Sequence, residues 1–191
     1  MKVLIVVDMQ NDFIDGALGS EEAKAVVPKV AEAIRATADT QTLILFTQDT
    51  HNHNYMDTQE GHNLPIPHCV LHTPGHEINS EIIEAYNSVK DSTLKVEDFY
   101  NYYTTPFIEK PTFGSLKLMN MLFNLDQKQK IEEITLMGVC TGICVLSNAI
   151  LAKAVLPEVP INIAADYCAC VTTESHKTAL EAMKLCQINT I

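Results

Sequence analysis

Positive charge is scarce in this sequence. Its 191 residues include 13 Lys and Arg against 24 Asp and Glu, which gives a formal net charge of -11. Proteins that bind DNA or RNA need clustered Lys and Arg to neutralise phosphates. The composition therefore argues against a nucleic-acid partner, and the acidic surface mainly favours solubility.

Long apolar runs are also missing. No stretch of 18 consecutive apolar residues occurs, so the sequence predicts no membrane span and no membrane partner. The apolar start is interrupted by Asp8 and has no small-residue cleavage site, so it is typical of a first strand rather than a signal peptide. We therefore expect a cytoplasmic protein.

The cysteines lack the spacing of a structural zinc site. Six are present, but no CxxC…CxxC pattern occurs. The cytosol would keep them reduced, and Cys168, Cys170 and Cys186 are expected to be small hydrophobic residues of the core. Cys140 and Cys144, four residues apart after a strand-like run, are different. From spacing alone they fit a metal clip, one half of a disulfide, a redox pair, or a nucleophile with its supporting loop.

What the sequence does contain is an alternation of buried strands and amphipathic helices, with 47% hydrophobic residues. This alternation indicates an α/β fold with a parallel sheet and helices on both faces. We expect one domain over residues 1–191, since no repeat or linker interrupts it. Strands are predicted over 2–8, 42–49, 131–139, 161–166 and 188–191, and helices over 20–39, 80–89, 115–125, 142–156 and 173–186, with Ser20, Gly114 or Ser115, and Thr173 as caps.

Ligands of such sheets bind beyond the carboxyl ends of the strands. Asp8, Asp49 and Asp166 each end a predicted strand, and Cys144 lies one turn into a helix that follows another. A helix N-terminus lowers the pKa of a thiol and offers N–H groups to an oxyanion. Cys144 is thus a candidate nucleophile, although a core cysteine fits the spacing equally well.

Three segments together resemble a known family. They are "LIVVDMQNDFIDG", "EKPTFGS" and "MGVCTGICVLSNAILAKA". In this order they are similar to the isochorismatase-like cysteine hydrolases, the superfamily that includes nicotinamidases. The resemblance implies a three-layer α/β/α fold with a central, mostly parallel sheet, and it extends over nearly the whole chain.

The resemblance also implies a catalytic triad of Asp8, Lys110 and Cys144. Asp8 would move protons, Lys110 would orient Asp8 and stabilise charge, and Cys144 would attack an amide carbonyl to give a thioester. A cis peptide bond between Val139 and Cys140 would turn the backbone N–H groups of Cys140 and Cys144 into an oxyanion hole.

The long irregular stretch after the second predicted strand carries five of the seven histidines. Loops of this length are usually functional in compact domains. By resemblance to nicotinamidases, Asp49, His51 and His68 would bind a divalent metal, with Glu60 as the fourth ligand. Zinc is the expected ion, no organic cofactor is expected, and Phe13 would form one aromatic wall of the substrate site.

The expected function is hydrolysis of a small amide, with nicotinamide to nicotinate and ammonia as the leading reaction. One alternative is a metal-free hydrolase of carbamoyl compounds, meaning N-carbamoyl or ureido substrates. Isochorismatase activity is disfavoured because it does not need Cys144, and a non-enzymatic binding protein is disfavoured because the triad is intact. The family resemblance also implies a homo-oligomer, a dimer or a tetramer.

Overall fold

A parallel six-stranded sheet forms the centre of the protein, and the computed structural model describes residues 1–191. The strand order is β3-β2-β1-β4-β5-β6, and every neighbouring pair is parallel. The strands are β1 (Lys2–Val7), β2 (Thr42–Asp49), β3 (Phe107–Lys110), β4 (Glu133–Val139), β5 (Ile161–Ala169) and β6 (Asn189–Thr190).

Seven helices cover the two faces of this sheet. α2 packs on α4 on one side, while α6 packs with both α5 and α7 on the other, so the fold has three layers as predicted. None of these helices is both long and apolar enough to span a membrane. The helices are α1 (Asn11–Ile14), α2 (Glu21–Arg35), α3 (Gln59–Asn63), α4 (Ser80–Val89), α5 (Leu116–Lys128), α6 (Leu146–Val155) and α7 (Thr173–Leu185).

Side-chain caps set where the longer helices begin. The Ser20 hydroxyl accepts from the N–H of Ala23, and Ser115 caps α5 in the same way. The cap of α7 is Thr172 rather than the predicted Thr173, because the Thr172 hydroxyl accepts from the third helical N–H. Such caps satisfy N–H groups that the first helical turn leaves without partners.

Two elements near the site differ from the sequence prediction. β3 was not predicted, because it is a four-residue edge strand that pairs only with β2 and includes the charged Glu109 and Lys110. β5 was predicted to end at Asp166 but continues to Ala169, so Asp166 lies exposed within the strand and away from the expected cluster.

The strand order reverses between β1 and β4, which lie side by side at the middle of the sheet. In open parallel sheets, the crevice beyond the carboxyl ends of the strands at such a reversal is the usual ligand site. Asp8 follows β1 and Cys140 follows β4, so the fold places both at this crevice.

Gly138 makes the close approach of β4 to β1 possible. Its φ is 119°, and a Cβ at this position would lie 2.2 Å from the carbonyl oxygen of Val7. We expect Gly138→Ala to lower the free energy of unfolding by about 2 kcal/mol or more, because strained backbone and a backbone clash combine. Chemical denaturation measures this. Gly142→Ala is the control, because a Cβ at Gly142 would come no closer than 3.3 Å to any atom. Equal losses in the two variants would contradict the prediction.

Candidate active site and metal centre

The three residues expected to form a triad meet at the carboxyl ends of the strands. The Lys110 ammonium lies 2.7 Å from Oδ2 of Asp8, 3.6 Å from Sγ of Cys144 and 3.3 Å from Oδ1 of Asp49. Asp8 and Lys110 are almost completely buried, and Cys144 is 5% exposed. One buried cation therefore contacts two carboxylates and a thiol.

The position of Lys110 follows from the register of β3. Lys110 is the last residue of this strand and is paired with Asp49, the last residue of β2. The Lys110 side chain lies past the end of β2 to reach Asp8, which follows β1. β3, which the sequence did not predict, is thus the element that positions the Lys110 ammonium.

Asp8 is held by a partner to which the sequence assigned no role. The Thr47 hydroxyl donates to Oδ1 of Asp8 at 2.6 Å, and the N–H of Asp8 donates back to the carbonyl of Thr47 at 3.2 Å. Burial raises the pKa of Asp8, and Lys110 offsets only part of this effect. A carboxyl group with a raised pKa in a cleft is suited to accept and return a proton.

The pKa of Cys144 contradicts the sequence prediction. Helix placement predicted a lowered pKa, but burial and the neighbouring Asp8 raise the pKa of this thiol, and Lys110 opposes them only in part. Cys144 also lies in a π-helical turn, Thr141–Val145, that precedes α6, rather than in the α-helix itself. A thiol whose pKa is raised in this way needs a neighbouring base to take its proton before it can act as a nucleophile.

Asn148 fixes this turn against the segment that follows Lys110. Its Nδ2 donates to the carbonyl of Cys144 at 2.8 Å and to the carbonyl of Phe113 at 3.1 Å, while its Oδ1 accepts from the N–H of Ser115. This role was not predictable from the sequence, because an asparagine inside an apolar helix carries no local sign of the groups it binds.

The backbone before Cys140 has the expected cis conformation. The peptide bond between Val139 and Cys140 is cis, as the family resemblance implied. The N–H of Cys140 has no hydrogen-bond acceptor within the protein. Phe13, Val139 and Cys140 line one cavity of about 230 Å³, and the Phe13 ring lies 5.5 Å from the ring of His68.

The four expected metal ligands converge beside Lys110. The ligand atoms of Asp49, His51, Glu60 and His68 all lie within 4.8 Å of one another. Nε2 of His51 is 2.9 Å from Oδ2 of Asp49, and Nε2 of His68 is 3.4 Å from the same oxygen. Asp49, His51 and His68 are buried, and the Glu60 side chain is 20% exposed.

The chemistry of this group fits a divalent metal. Nδ1 of His68 contacts the carbonyl oxygen of Ile66 at 2.8 Å. A carbonyl only accepts, so Nδ1 carries a proton, and in the neutral imidazole Nε2 keeps a lone pair close to the carboxylates of Asp49 and Glu60. An outer hydrogen bond of this kind is typical of metal-ligating histidines. His53 and His62, two other histidines of the same segment, are exposed.

Gln10 holds the backbone of the candidate ligand Asp49. Its Nε2 donates to the carbonyls of Asp49 and His76 at 2.9 and 2.8 Å, and its Oε1 accepts from the N–H of Asp49 at 2.7 Å. Gln10 is fully buried. Gln10 lies within the motif "LIVVDMQNDFIDG", but the sequence alone does not assign it a role.

We expect Gln10→Ala to weaken zinc binding by about 10- to 100-fold, as losses of outer-shell partners typically do. The N–H and carbonyl of Asp49 would lose their partners, so its carboxylate would no longer be held in place. Zinc titration by calorimetry measures the effect. Gln48→Ala is the matched control, because the Gln48 side chain makes only one long contact, 3.5 Å, to His76. Unchanged zinc affinity in Gln10→Ala would contradict the prediction.

This chain is similar to known proteins in both sequence and fold. The model described as Isochorismatase domain matches residues 2–90 and 93–191. A nicotinamidase/pyrazinamidase of Mycobacterium tuberculosis is 24% identical over 197 residues, covering 100% of this chain and 98% of that protein. Among solved structures, a pyrazinamidase/nicotinamidase from Streptococcus mutans shares the fold, with a TM-score of 0.80, 22% identity and full coverage of both chains.

A second solved structure is similar at higher identity. The pyrazinamidase of Pyrococcus horikoshii in complex with zinc has a TM-score of 0.72 and 28% identity, and the match covers 100% of this chain and 98% of that one. The family match covers nearly the whole chain, and the three-layer parallel fold agrees with it. This chain belongs to the isochorismatase family.

Proposed function

We propose that this protein is a cysteine-dependent amidohydrolase that cleaves nicotinamide to nicotinate and ammonia through a thioester. The observation that supports this most directly is the contact of one buried ammonium, Lys110, with the Asp8 carboxylate and the Cys144 thiol. The names of the relatives agree with this reaction class. The proposal treats residues 1–191 as one domain, because a single cluster of 49 buried hydrophobic residues supports the whole fold.

In the proposed reaction, Asp8 takes the proton of the Cys144 thiol as the sulfur attacks the amide carbonyl. Lys110, which contacts both groups, stabilises the negative charge as it moves from the Asp8 carboxylate to the sulfur of Cys144. The N–H groups of Cys140 and Cys144 stabilise the oxyanion of the tetrahedral intermediate. Asp8 then returns the proton to the leaving nitrogen, ammonia departs, and water hydrolyses the thioester with Asp8 again as the base.

We further propose that Asp49, His51, Glu60 and His68 hold a zinc ion. When bound, a divalent metal at this position supplies a Lewis acid that orients the substrate beside Cys144. Phe13, whose ring contacts the ring of His68, would then pack against an aromatic substrate. The assembled ligand group favours this metal-dependent reaction over hydrolysis of carbamoyl compounds without a metal.

The remaining expectations are part of the same proposal. All six cysteines are free thiols, which agrees with the reducing cytoplasm. A homo-oligomer, dimer or tetramer, is proposed from the family resemblance, and the small amide substrate is the only other partner proposed.

The activity is tested by ammonia release from a panel of small amides and carbamoyl compounds. We expect nicotinamide to be hydrolysed with a higher kcat/KM than any N-carbamoyl or ureido compound. High activity on carbamoyl substrates, with none on nicotinamide, would overturn the proposed substrate.

Metal dependence is tested separately on protein purified without an affinity tag. We expect about one divalent ion per chain, because four N and O ligands converge on one point. Removal by a chelator should lower activity, and added zinc should restore it. His51→Ala should lose the ion, whereas His53→Ala, which changes an exposed histidine of the same loop, should keep it. Full activity without any bound ion would refute the metal proposal.

A further inference from the structure

Two cysteines face each other across the ends of β4 and β5. Val139 of β4 is paired with Ala169 of β5. Cys140 directly follows Val139, and Cys170 directly follows Ala169. Their sulfur atoms lie 3.0 Å apart. Neighbouring strands are spaced about 4.7–4.9 Å apart, within the Cα separation of about 4.4–6.8 Å that disulfides accept. The backbone therefore places these two residues at disulfide distance.

This pair lies outside the triad but can be reached from solvent. Cys140 is half-buried and Cys170 is 6% exposed. Both line the cavity that also contains Phe13. A small oxidant that enters this cavity therefore meets these two thiols.

The surroundings give the thiols of Cys140 and Cys170 different pKa values. The Cys140 thiol donates to Sγ of Cys170, and the Ser175 hydroxyl, which also contacts the carbonyl of Thr172 at 2.8 Å, lies 3.2 Å from the same sulfur. Burial raises the pKa of Cys170, but these hydrogen bonds outweigh it and leave the pKa below its ordinary value. Burial and the same thiol contact raise the pKa of Cys140 to about 12. Cys170 is thus the sulfur that more readily becomes a thiolate.

We propose that Cys140 and Cys170 are a site of reversible disulfide formation by peroxides. The Cys170 thiolate attacks one peroxide oxygen, an S–O bond forms, the O–O bond breaks, and the departing hydroxide is protonated to water. Cys140 then attacks Sγ of Cys170, the S–S bond forms, and the S–O bond breaks with release of a second water. The two thiols lose two electrons in total, and hydrogen peroxide gains them.

The disulfide also affects the oxyanion turn. Bond formation brings the sulfurs from 3.0 Å to about 2.05 Å, and Cys140 carries the N–H proposed to bind the oxyanion. A shift of about 1 Å in catalytic geometry can lower turnover by about 100-fold. We therefore expect peroxide to lower amidase activity by about 10- to 100-fold, an expectation that rests on the proposed function.

Mass spectrometry of alkylated protein tests the site without any assay of activity. The Cys186→Ser protein is used as background, because Cys186 is exposed and would link separate molecules. After treatment with hydrogen peroxide, we expect two thiols to be lost, one disulfide to join the peptides of Cys140 and Cys170, and dithiothreitol to restore both thiols. Cys168→Ala is the matched control and should form the same disulfide, since its strand partner is Gly138.

Two further variants are made in the Cys186→Ser protein, one with Cys170→Ser and one with Cys140→Ser. Neither should form an internal disulfide. The two variants report independently, so a folding defect in one does not remove the test. Peroxide treatment that leaves all thiols free, or links either cysteine to another residue, would overturn the proposal.

Turnover is measured on the same samples. We expect activity to fall with disulfide content and to return with dithiothreitol. If peroxide lowers the activity of Cys170→Ser as much as that of the parent protein, the inhibition comes from oxidation of Cys144. That result would overturn the proposed effect of the disulfide on turnover. If the reduced protein hydrolyses no amide, the proposed function fails while the disulfide test still gives its answer.

Discussion

Cys144→Ala is expected to lower kcat for amide hydrolysis by about 10⁴-fold or more while the protein stays folded. The reason is that no other thiol lies beside both Asp8 and Lys110, so the substrate carbonyl has no alternative nucleophile. Losses of this size follow removal of nucleophiles in other hydrolases. Ammonia release under single-turnover conditions gives the rate, and circular dichroism checks the fold.

The control for this prediction is another buried cysteine. Cys168 lies in β5 with a similar degree of burial, 6% against 5% for Cys144, but has no contact with the triad. Cys168→Ala should therefore keep most of its activity. Cys140→Ser should also stay active, because the proposed role of Cys140 uses its backbone N–H. Comparable losses in Cys144→Ala and Cys168→Ala would mean that packing, rather than nucleophilic attack, explains the effect.

Two of the three predicted strand-end acids, Asp8 and Asp49, lie together beside Lys110, whereas Asp166 does not. Asp8 and Asp49 follow buried apolar runs, and the carboxyl ends of parallel strands share one edge of a sheet. Recognition of the family added Lys110 and the ligands from the long loop. Lys110 was not placed on a strand, because β3 has four residues and a burial pattern typical of an edge strand.

Residues whose side chains hold the backbone of a site residue could not be predicted from their place at a strand end. Gln10 and Asn148 hold backbone groups that lie far away in the sequence, and an amide side chain carries no local sign of such partners. The pair Cys140 and Cys170 depends on the register of β4 and β5, and β5 extends beyond its predicted end at Asp166. The pKa of Cys144 was predicted in the wrong direction because it depends on burial, which helix placement alone does not determine.

Lys110→Met is the second change with a large expected effect. It removes the cation between Asp8 and Asp49 but keeps most of the side-chain volume, so two buried carboxylates lose their partner. Breaking a buried ion pair on one side typically lowers stability by about 3–5 kcal/mol. Activity should fall by at least about 100-fold, because Lys110 also stabilises the charge that forms on Cys144. Denaturant unfolding and ammonia release measure the two effects.

A second substitution separates lost packing from unpaired charge. If the uncompensated carboxylate causes the loss, Asp8→Asn combined with Lys110→Met should be more stable than Lys110→Met alone, because the double variant buries one charge fewer. Asn at this position can still accept the hydrogen bond from Thr47. Lys2→Met serves as the surface control, because the pair between Lys2 and Glu133 is exposed and should matter little. A double variant no more stable than Lys110→Met would show that packing, rather than charge, gives Lys110 its effect on stability.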